Sequence, residues 1–470
     1  MECESEEVEN DTDFFDLGGN SLLIAILVDD IKAVFDVDIP VDDIYEFGTL
    51  KEQADIIREK SGKTEEKHHE RVELLPMQKL ILNSVKNDKD SSKWNLNVSF
   101  KLEGKTDIDR LKASFMKLCG MHEIITGRIV SIENSDYIQV GDILQEEPVS
   151  VIYGDDEGEL KKMLDKEALR PIDVFNERMT KMFIYVADEE NAYLLLKASH
   201  LIADGWTLNL IFEELCGIYS GKIEKTADDH YADYVIREKE MIKNVYAKGE
   251  VSAVSDKSKK LLKDKKYTPD TKCVPPEYVI VGNDRFEKLK VFAKENKLSM
   301  FQVTLSVYHA SIQEYLKTDS SSVAIMQANR SLKEYRNTAG LFAKTVLTDT
   351  ESKDVKEIIS DMKKQTGVLI KNQVISLGDN ITADKNKFED FVDFMITYQN
   401  FNNGNMELDG IHFLPNMISG SEAVCPMTIL FFDTDSYLMG TVQYSPEYFR
   451  REDAKRFIEV YQNKTDELIG

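Results

Sequence analysis

Apolar residues recur along this chain with two periods. From residue 22 onward Leu23, Ile26, Leu27, Ile31 and Val34 follow the spacing of one helix face. Leu96, Val98, Phe100 and Leu102 instead alternate with polar residues, the period of a half-buried strand, and Ile108, Leu111, Phe115 and Leu118 then return to helical spacing. Strands are expected near 138–140, 149–153, 182–186 and 193–199, the last followed by a helical stripe of Leu208, Ile211, Phe212, Leu215 and Ile218. After the prolines at 275 and 276 the same order of elements returns: a strand over 278–281, helices over 285–296 and 299–316, strands over 322–327, 393–399, 428–432 and 437–444, and a closing helix from Pro446. Strands alternating with helices predict mixed α/β layers. Two halves of similar order, without a residue-level repeat, predict two lobes with a cleft between them.

Two stretches break the pattern. Residues 61–71 are charged and lack apolar periodicity, so they read as a linker spanning at most about 40 Å. Residues 226–276 are rich in Lys, Asp and Glu, with one helix near 231–246, and read as the connection between lobes. The expected organisation is a small helical domain over 1–60, the linker 61–71, a first lobe with its connection over 72–276 and a second lobe over 277–470.

Composition narrows the function classes. At 470 residues the chain exceeds one ordinary core, and 42% hydrophobic content supports globular folding. No run of about 18 apolar residues occurs, and the first residues are acidic rather than basic and then apolar, so a soluble, cytoplasmic protein is expected. A formal net charge of -26 argues against nucleic acid or an anionic membrane as partner. Cys3, Cys119, Cys216, Cys273 and Cys425 are far apart and odd in number, which fits free thiols in a reducing compartment and argues against a zinc site or a disulfide frame. His68 and His69 sit in the charged linker, and no metal site is expected.

Two positions carry candidate chemistry. In SHLIADGW, residues 199–206, a histidine stands where a strand ends, with Asp204 four residues on and Gly205 able to turn the chain into a helix. Strand alternation sets Ser199 and His200 on opposite faces, so only one of them addresses a given cavity. A histidine there can accept a proton, and a nearby carboxylate can fix the structure around it. The second position is Ser21, after Gly18, Gly19 and Asn20 and at the first turn of an amphipathic helix, where unpaired N–H groups and the positive dipole end suit a phosphate ester.

The string FFDLGGNSL over residues 14–22 resembles the phosphopantetheine attachment motif of peptidyl carrier proteins. The resemblance extends to about residue 60 and implies 4'-phosphopantetheine attached covalently to Ser21, with only an acidic stretch of about ten residues where carrier domains have a further helix. Residues 72–470 resemble the condensation domain of nonribosomal peptide synthetases. ELLPMQKLIL at 73–82, MHEIITGR at 121–128, SHLIADGWT at 199–207, YADY at 231–234 and AGLFAKTV at 339–346 follow its motifs in order, and ITYQNF at 396–401 is similar to a later stretch. The implied fold is two-lobed, α/β and chloramphenicol acetyltransferase-like, preceded by a small all-α carrier bundle.

Carried over by position, the catalytic set is His200, the functional histidine, with the structural Asp204 and Gly205. Ser199 replaces the motif's first histidine. Thr126 stands where the second motif carries an arginine, which makes Arg128 the candidate partner of Asp204. The resemblance implies amide formation between a carrier-bound acyl or peptidyl thioester and an aminoacyl acceptor. His200 would orient the amine or take its proton, or steady the oxyanion, and Asp204 would hold its loop by an ion pair. The implied partners are a phosphopantetheinyl transferase, an upstream adenylation module and a downstream acceptor carrier protein. Two alternatives share the fold. An epimerisation domain would bring an E-G-H-G-R-like motif that this chain lacks, and a recruitment module would keep the fold without the chemistry.

Overall fold

The computed structural model describes residues 12–15, 21–35, 37, 39–40, 43–44, 47–60, 70–141, 147–223, 231–247, 260–262, 264–330, 335–371, 376–377, 386–398, 406–433 and 436–470. The chain divides into two compact units, residues 1–69 and 70–470.

In the first unit the helical spacing after residue 22 produces the helix Ser21–Phe35, and a second helix runs over Leu50–Lys60. Ile24, Ile31, Val37, Ile39, Ile44 and Ile56 are buried together, with Phe14, Phe15, Leu27 and Val28 packed against them. The second helix starts on reciprocal caps. Thr49 Oγ1 accepts from the Glu52 N–H at 3.3 Å, and the Glu52 carboxylate accepts from the Thr49 N–H at 3.1 Å. Gly18, Gly19, Asn20, the segment where a preceding carrier helix is expected and linker residues 61–69 lie outside the described residues.

The strands of the second unit, in chain order, are β1 (Arg71–Glu73), β2 (Asn95–Glu103), β3 (Arg128–Ile132), β4 (Ser135–Gln139), β5 (Val149–Tyr153), β6 (Thr180–Val186), β7 (Asn191–Ser199), β8 (Glu277–Val281), β9 (Ser321–Gln327), β10 (Lys344–Thr350), β11 (Phe394–Tyr398), β12 (Met406–Leu408), β13 (Ile411–Pro415), β14 (Met427–Asp433) and β15 (Leu438–Tyr444). They form a sheet β12-β13-β2-β7-β6-β5, a second sheet β10-β9-β11-β14-β15-β8, and a small sheet β1-β4-β3. Arg71, expected in the linker, opens β1. Glu133 and Asn134 both take positive φ, 48° and 67°, and join β3 to β4 by a two-residue hairpin.

Helices Ile108–Cys119 and Gly205–Tyr219 bury Leu111, Phe115 and Leu118 and Leu208, Ile211 and Leu215 in the core that contains the first large sheet. Helices Asn283–Glu295, Met300–Leu316, Val355–Lys371 and Arg451–Ile469 pack on the second sheet. The expected closing helix therefore starts at Arg451, after the turn that follows Pro446.

One segment crosses between the halves. β13 lies antiparallel on β2, with His412 opposite Glu103 and Pro415 opposite Phe100, so residues 406–415 complete the first sheet although they follow residue 277 in sequence. Ile411 and Phe413 point into that core, and the edge of β2 is covered. No helix of the described residues is long and apolar enough to cross a membrane.

Candidate active site

The site is built at the end of β7. This strand lies between β2 and β6, and Ala192 to Ser199 are all buried, which is why its sequence is nearly continuously apolar. Its last rungs are tight: the Ser199 N–H donates to the Met179 carbonyl at 2.8 Å, and the His200 N–H to the Trp94 carbonyl at 2.9 Å. The chain then turns. Ile202 N–H donates to the Ser199 carbonyl at 3.1 Å, while Ser199 Oγ accepts from the Leu201 N–H at 3.2 Å. Ser199 is buried within this turn, whereas His200 keeps partial exposure.

Asp204 ends the turn as the N-cap of Gly205–Tyr219, accepting from the Thr207 N–H at 2.8 Å. Its other oxygen accepts from the N–H groups of Phe342 and Ala343, both at 3.0 Å. A carboxylate so placed is fully engaged by donors. The cation within ion-pair reach is Arg330, at 3.5 Å, with both side chains buried. Arg128, the expected partner, instead begins β3 in the small sheet. Arg330 fits the role because it follows β9 and is held by the carbonyls of Tyr335 and Thr338, at 2.7 and 2.6 Å, with its guanidinium 3.7 Å from the Phe342 ring centroid.

Further side chains close the frame. Thr207 Oγ1 donates to the Gly340 carbonyl at 2.6 Å and accepts from Arg330 Nη2 at 2.9 Å and the Gly340 N–H at 3.1 Å. Gly340 has φ +153°, and a Cβ there would lie 2.0 Å from the Tyr231 ring. Gln78 Nε2 donates to the Leu201 carbonyl at 2.6 Å and to the Tyr231 hydroxyl at 3.1 Å. His122 Nε2 lies 2.5 Å from Glu214 Oε2, inside the same helix packing. Residues around 78, 231, 330 and 340–343, far apart in sequence, are therefore brought together around one turn, while the His122–Glu214 pair lies farther along the helix. Arg330 is the member that lies outside every motif read from the sequence, while Gln78, Thr207, Tyr231 and Gly340 lie inside quoted motifs without an assigned role; a buried carboxylate's need for a cation was the signal for Arg330, but not its address.

Around His200, the Trp94 ring stands edge-on with centroids 5.9 Å apart, and Phe388 stands against Trp94 at 5.2 Å. Burial by these neighbours pushes the His200 pKa down to about 4, against the opposing pull of the Asp204 charge and a hydrogen bond with the Ala203 backbone. The imidazole is therefore neutral near pH 7. With one ring nitrogen engaged at Ala203, the other is left as an acceptor.

Ser21 is the first residue of the helix Ser21–Phe35. A phosphodiester on its hydroxyl would stand at a helix N-terminus, where backbone N–H groups lack intrahelical partners, so the backbone here fits such a group.

Two family models match successive parts of the chain. The condensation-domain profile matches residues 68–470, and the phosphopantetheine attachment site profile matches residues 1–57. Bacitracin synthase 3 of Bacillus licheniformis is 23% identical over 97% of this chain, and surfactin synthase subunit 1 of Bacillus subtilis (strain 168) is 24% identical over 95%. The chain spans only 8% and 13% of the lengths of those two proteins. Among solved structures, the X-domain in its complex with OxyB from teicoplanin biosynthesis aligns with TM-score 0.69 at 14% identity, covering 84% of this chain and 94% of that one. The first condensation domain of the calcium-dependent antibiotic synthetase, in complex with a substrate analogue, gives 0.66 at 14%, covering 85% and 96%. The epimerization domain from the third module of tyrocidine synthetase B gives 0.66 at 15%, covering 85% and 97%. These likenesses share the two-lobed α/β fold across several activities, and the two matching profiles show that the chain belongs to the condensation-domain family, with a phosphopantetheine attachment domain ahead of the condensation domain.

Proposed function

We propose that residues 72–470, in lobes divided near 276 and 277 with 406–415 crossing over, join a carrier-bound acyl group to an aminoacyl acceptor, and that His200 is the group that meets the reacting amine. The observation that carries this reading is the contrast between His200 and Asp204. Asp204 spends its oxygens on three backbone N–H groups and Arg330, so it holds the turn and has no capacity left for a substrate proton. His200 is neutral, keeps partial exposure and, with one ring nitrogen engaged at the Ala203 backbone, carries the acceptor lone pair of a neutral imidazole on the other. It can therefore take the proton that the amine gives up as the new C–N bond forms, or hold that amine on line. Gly205 opens the helix that Asp204 caps.

Residues 1–60 act as the carrier, joined by residues 61–71, and Ser21 is the residue modified. The group supplies a thiol that holds acyl chains as thioesters. A phosphopantetheinyl transferase, an adenylation module and an acceptor carrier protein are the implied partners, and a cytoplasmic location agrees with the acidic composition and the odd number of scattered cysteines. A recruitment role draws support from Ser199, which stands where the family motif has its first histidine. That residue, however, builds the turn: it is buried and accepts from the Leu201 N–H, whereas His200 keeps partial exposure.

The test uses the full chain, loaded from an acyl-coenzyme A by a promiscuous phosphopantetheinyl transferase. Intact mass should show one added acyl arm, absent in Ser21→Ala. With a glycyl-loaded acceptor carrier, His200→Ala should slow amide formation by about a hundredfold while the fold survives. Equal rates with both partners loaded would leave the recruitment role in front.

A further inference from the structure

Trp94 immediately precedes β2, and its carbonyl takes the His200 N–H at 2.9 Å. Trp94 is only 6% exposed, and among the described residues nothing accepts from its indole N–H. A buried donor without a partner is costly and rare, so each one calls for an explanation. The other tryptophan offers a contrast, since the exposed Trp206 donates from Nε1 to the Arg336 carbonyl at 3.0 Å.

The indole is also held rigidly. Its backbone is tied to His200, the His200 ring meets it edge-on at 5.9 Å, and Phe388 meets it at 5.2 Å. Phe388 is held in turn by the short helical turn Phe388–Asp390. Glu389 of that turn accepts from Ser84 Oγ at 2.6 Å and pairs with Lys93, the residue before Trp94, while the Asn386 carbonyl accepts from Asn83 Nδ2 at 2.9 Å. Both lobes thus fix an indole whose ring packs against the proposed proton acceptor and whose N–H is left without a partner among the described residues.

We propose that Trp94 is a substrate-contacting residue of the amide-forming site, its indole N–H donating to the acyl carbonyl oxygen while His200 meets the amine. This rests on the reading of His200 above. An indole N–H can only donate, so its partner on the substrate is an acceptor, and the acyl carbonyl is the acceptor next to the carbon that the amine attacks. A donor fixed before the substrate arrives needs no rearrangement as negative charge grows on that oxygen.

The chain has two tryptophans, so indole-15N labelling gives two side-chain signals, assigned with Trp206→Phe. On titration of the full chain with S-acetylpantetheine, the Trp94 indole proton should move downfield and saturate while that of Trp206 stays in place. S-ethylpantetheine, which lacks the carbonyl, should leave both in place. In the amide-forming assay, Trp94→Phe keeps an aromatic ring but not the donor. It should lower kcat about tenfold, with KM and the pH profile nearly unchanged. A stationary Trp94 signal while the His200 ring signals shift, or wild-type kcat in Trp94→Phe beside a crippled His200→Ala, overturns the assignment and leaves the function standing. Signals of both residues standing still count against both readings.

Discussion

At the scale of single residues, two groups four positions apart have opposite duties because their surroundings differ. Burial holds His200 neutral, with its pKa pushed down from 6.5 to about 4, whereas Asp204 is held in place by three backbone N–H groups. If the neutral imidazole is the working form, kcat/KM should stay level as pH falls through 6.5, where an exposed histidine would titrate, and decline only on approaching about 4. The same burial sets a direction for stability. The folded protein binds the His200 proton less readily than the unfolded chain, so its contribution is whole above about 6.5 and is lost as pH falls toward 4. An acid limb in the rate profile near 6.5, absent in His200→Ala, would contradict this account. His200 and Asp204 could be picked out of the sequence because their spacing is local. Arg330 could not, because its 126-residue separation from Asp204 is closed only by the fold.

At the scale of elements, the turn after β7 is held by a frame in which each member satisfies another. Asp204→Ala would strand three backbone N–H groups and a buried guanidinium, which should cost about 3 kcal/mol or more in denaturant unfolding. Gly340→Ala should be comparably damaging, because its φ of +153° suits glycine and its Cβ would enter the Tyr231 ring, which is itself tied to Leu341 and Gln78. A loss below about 1 kcal/mol in either variant would show that the frame is looser than its geometry. The elements nearest this turn were readable because β7 is continuously apolar and the next helix has a clean stripe. β10 was not. Its buried Thr348 and Thr350 look polar in sequence, but Thr348 Oγ1 donates to the Val323 carbonyl and meets His309, and Thr350 Oγ1 donates to Asp361. Internal pairing of that kind is invisible to a hydrophobic pattern.

At the scale of the condensation unit, the crossing segment decides how the halves depend on each other. Periodicity could not announce β13, since IHFLP is only five residues long and its partner β2 lies more than 300 positions earlier. Its placement nevertheless makes the first sheet incomplete without the second half of the chain. Phe413 is 3% exposed and meets Phe100 and Phe212 with ring centroids 6.0 and 5.7 Å away. Phe212 lies on the helix that Asp204 caps, and Phe100 lies on β2, which begins beside Trp94 and pairs with β7. Phe413→Ala should therefore cost about 3–5 kcal/mol through lost burial and the cavity left behind. That loss should be felt beyond β13: hydrogen exchange should quicken in β2, β7 and the helix Gly205–Tyr219 together, because one cooperative core contains them all. The alternative is a strand that merely lies over a finished sheet. In that case exchange would quicken in residues 406–415 alone, with β2 and β7 as protected as before, and the crossing segment would have no part in holding the turn that carries His200.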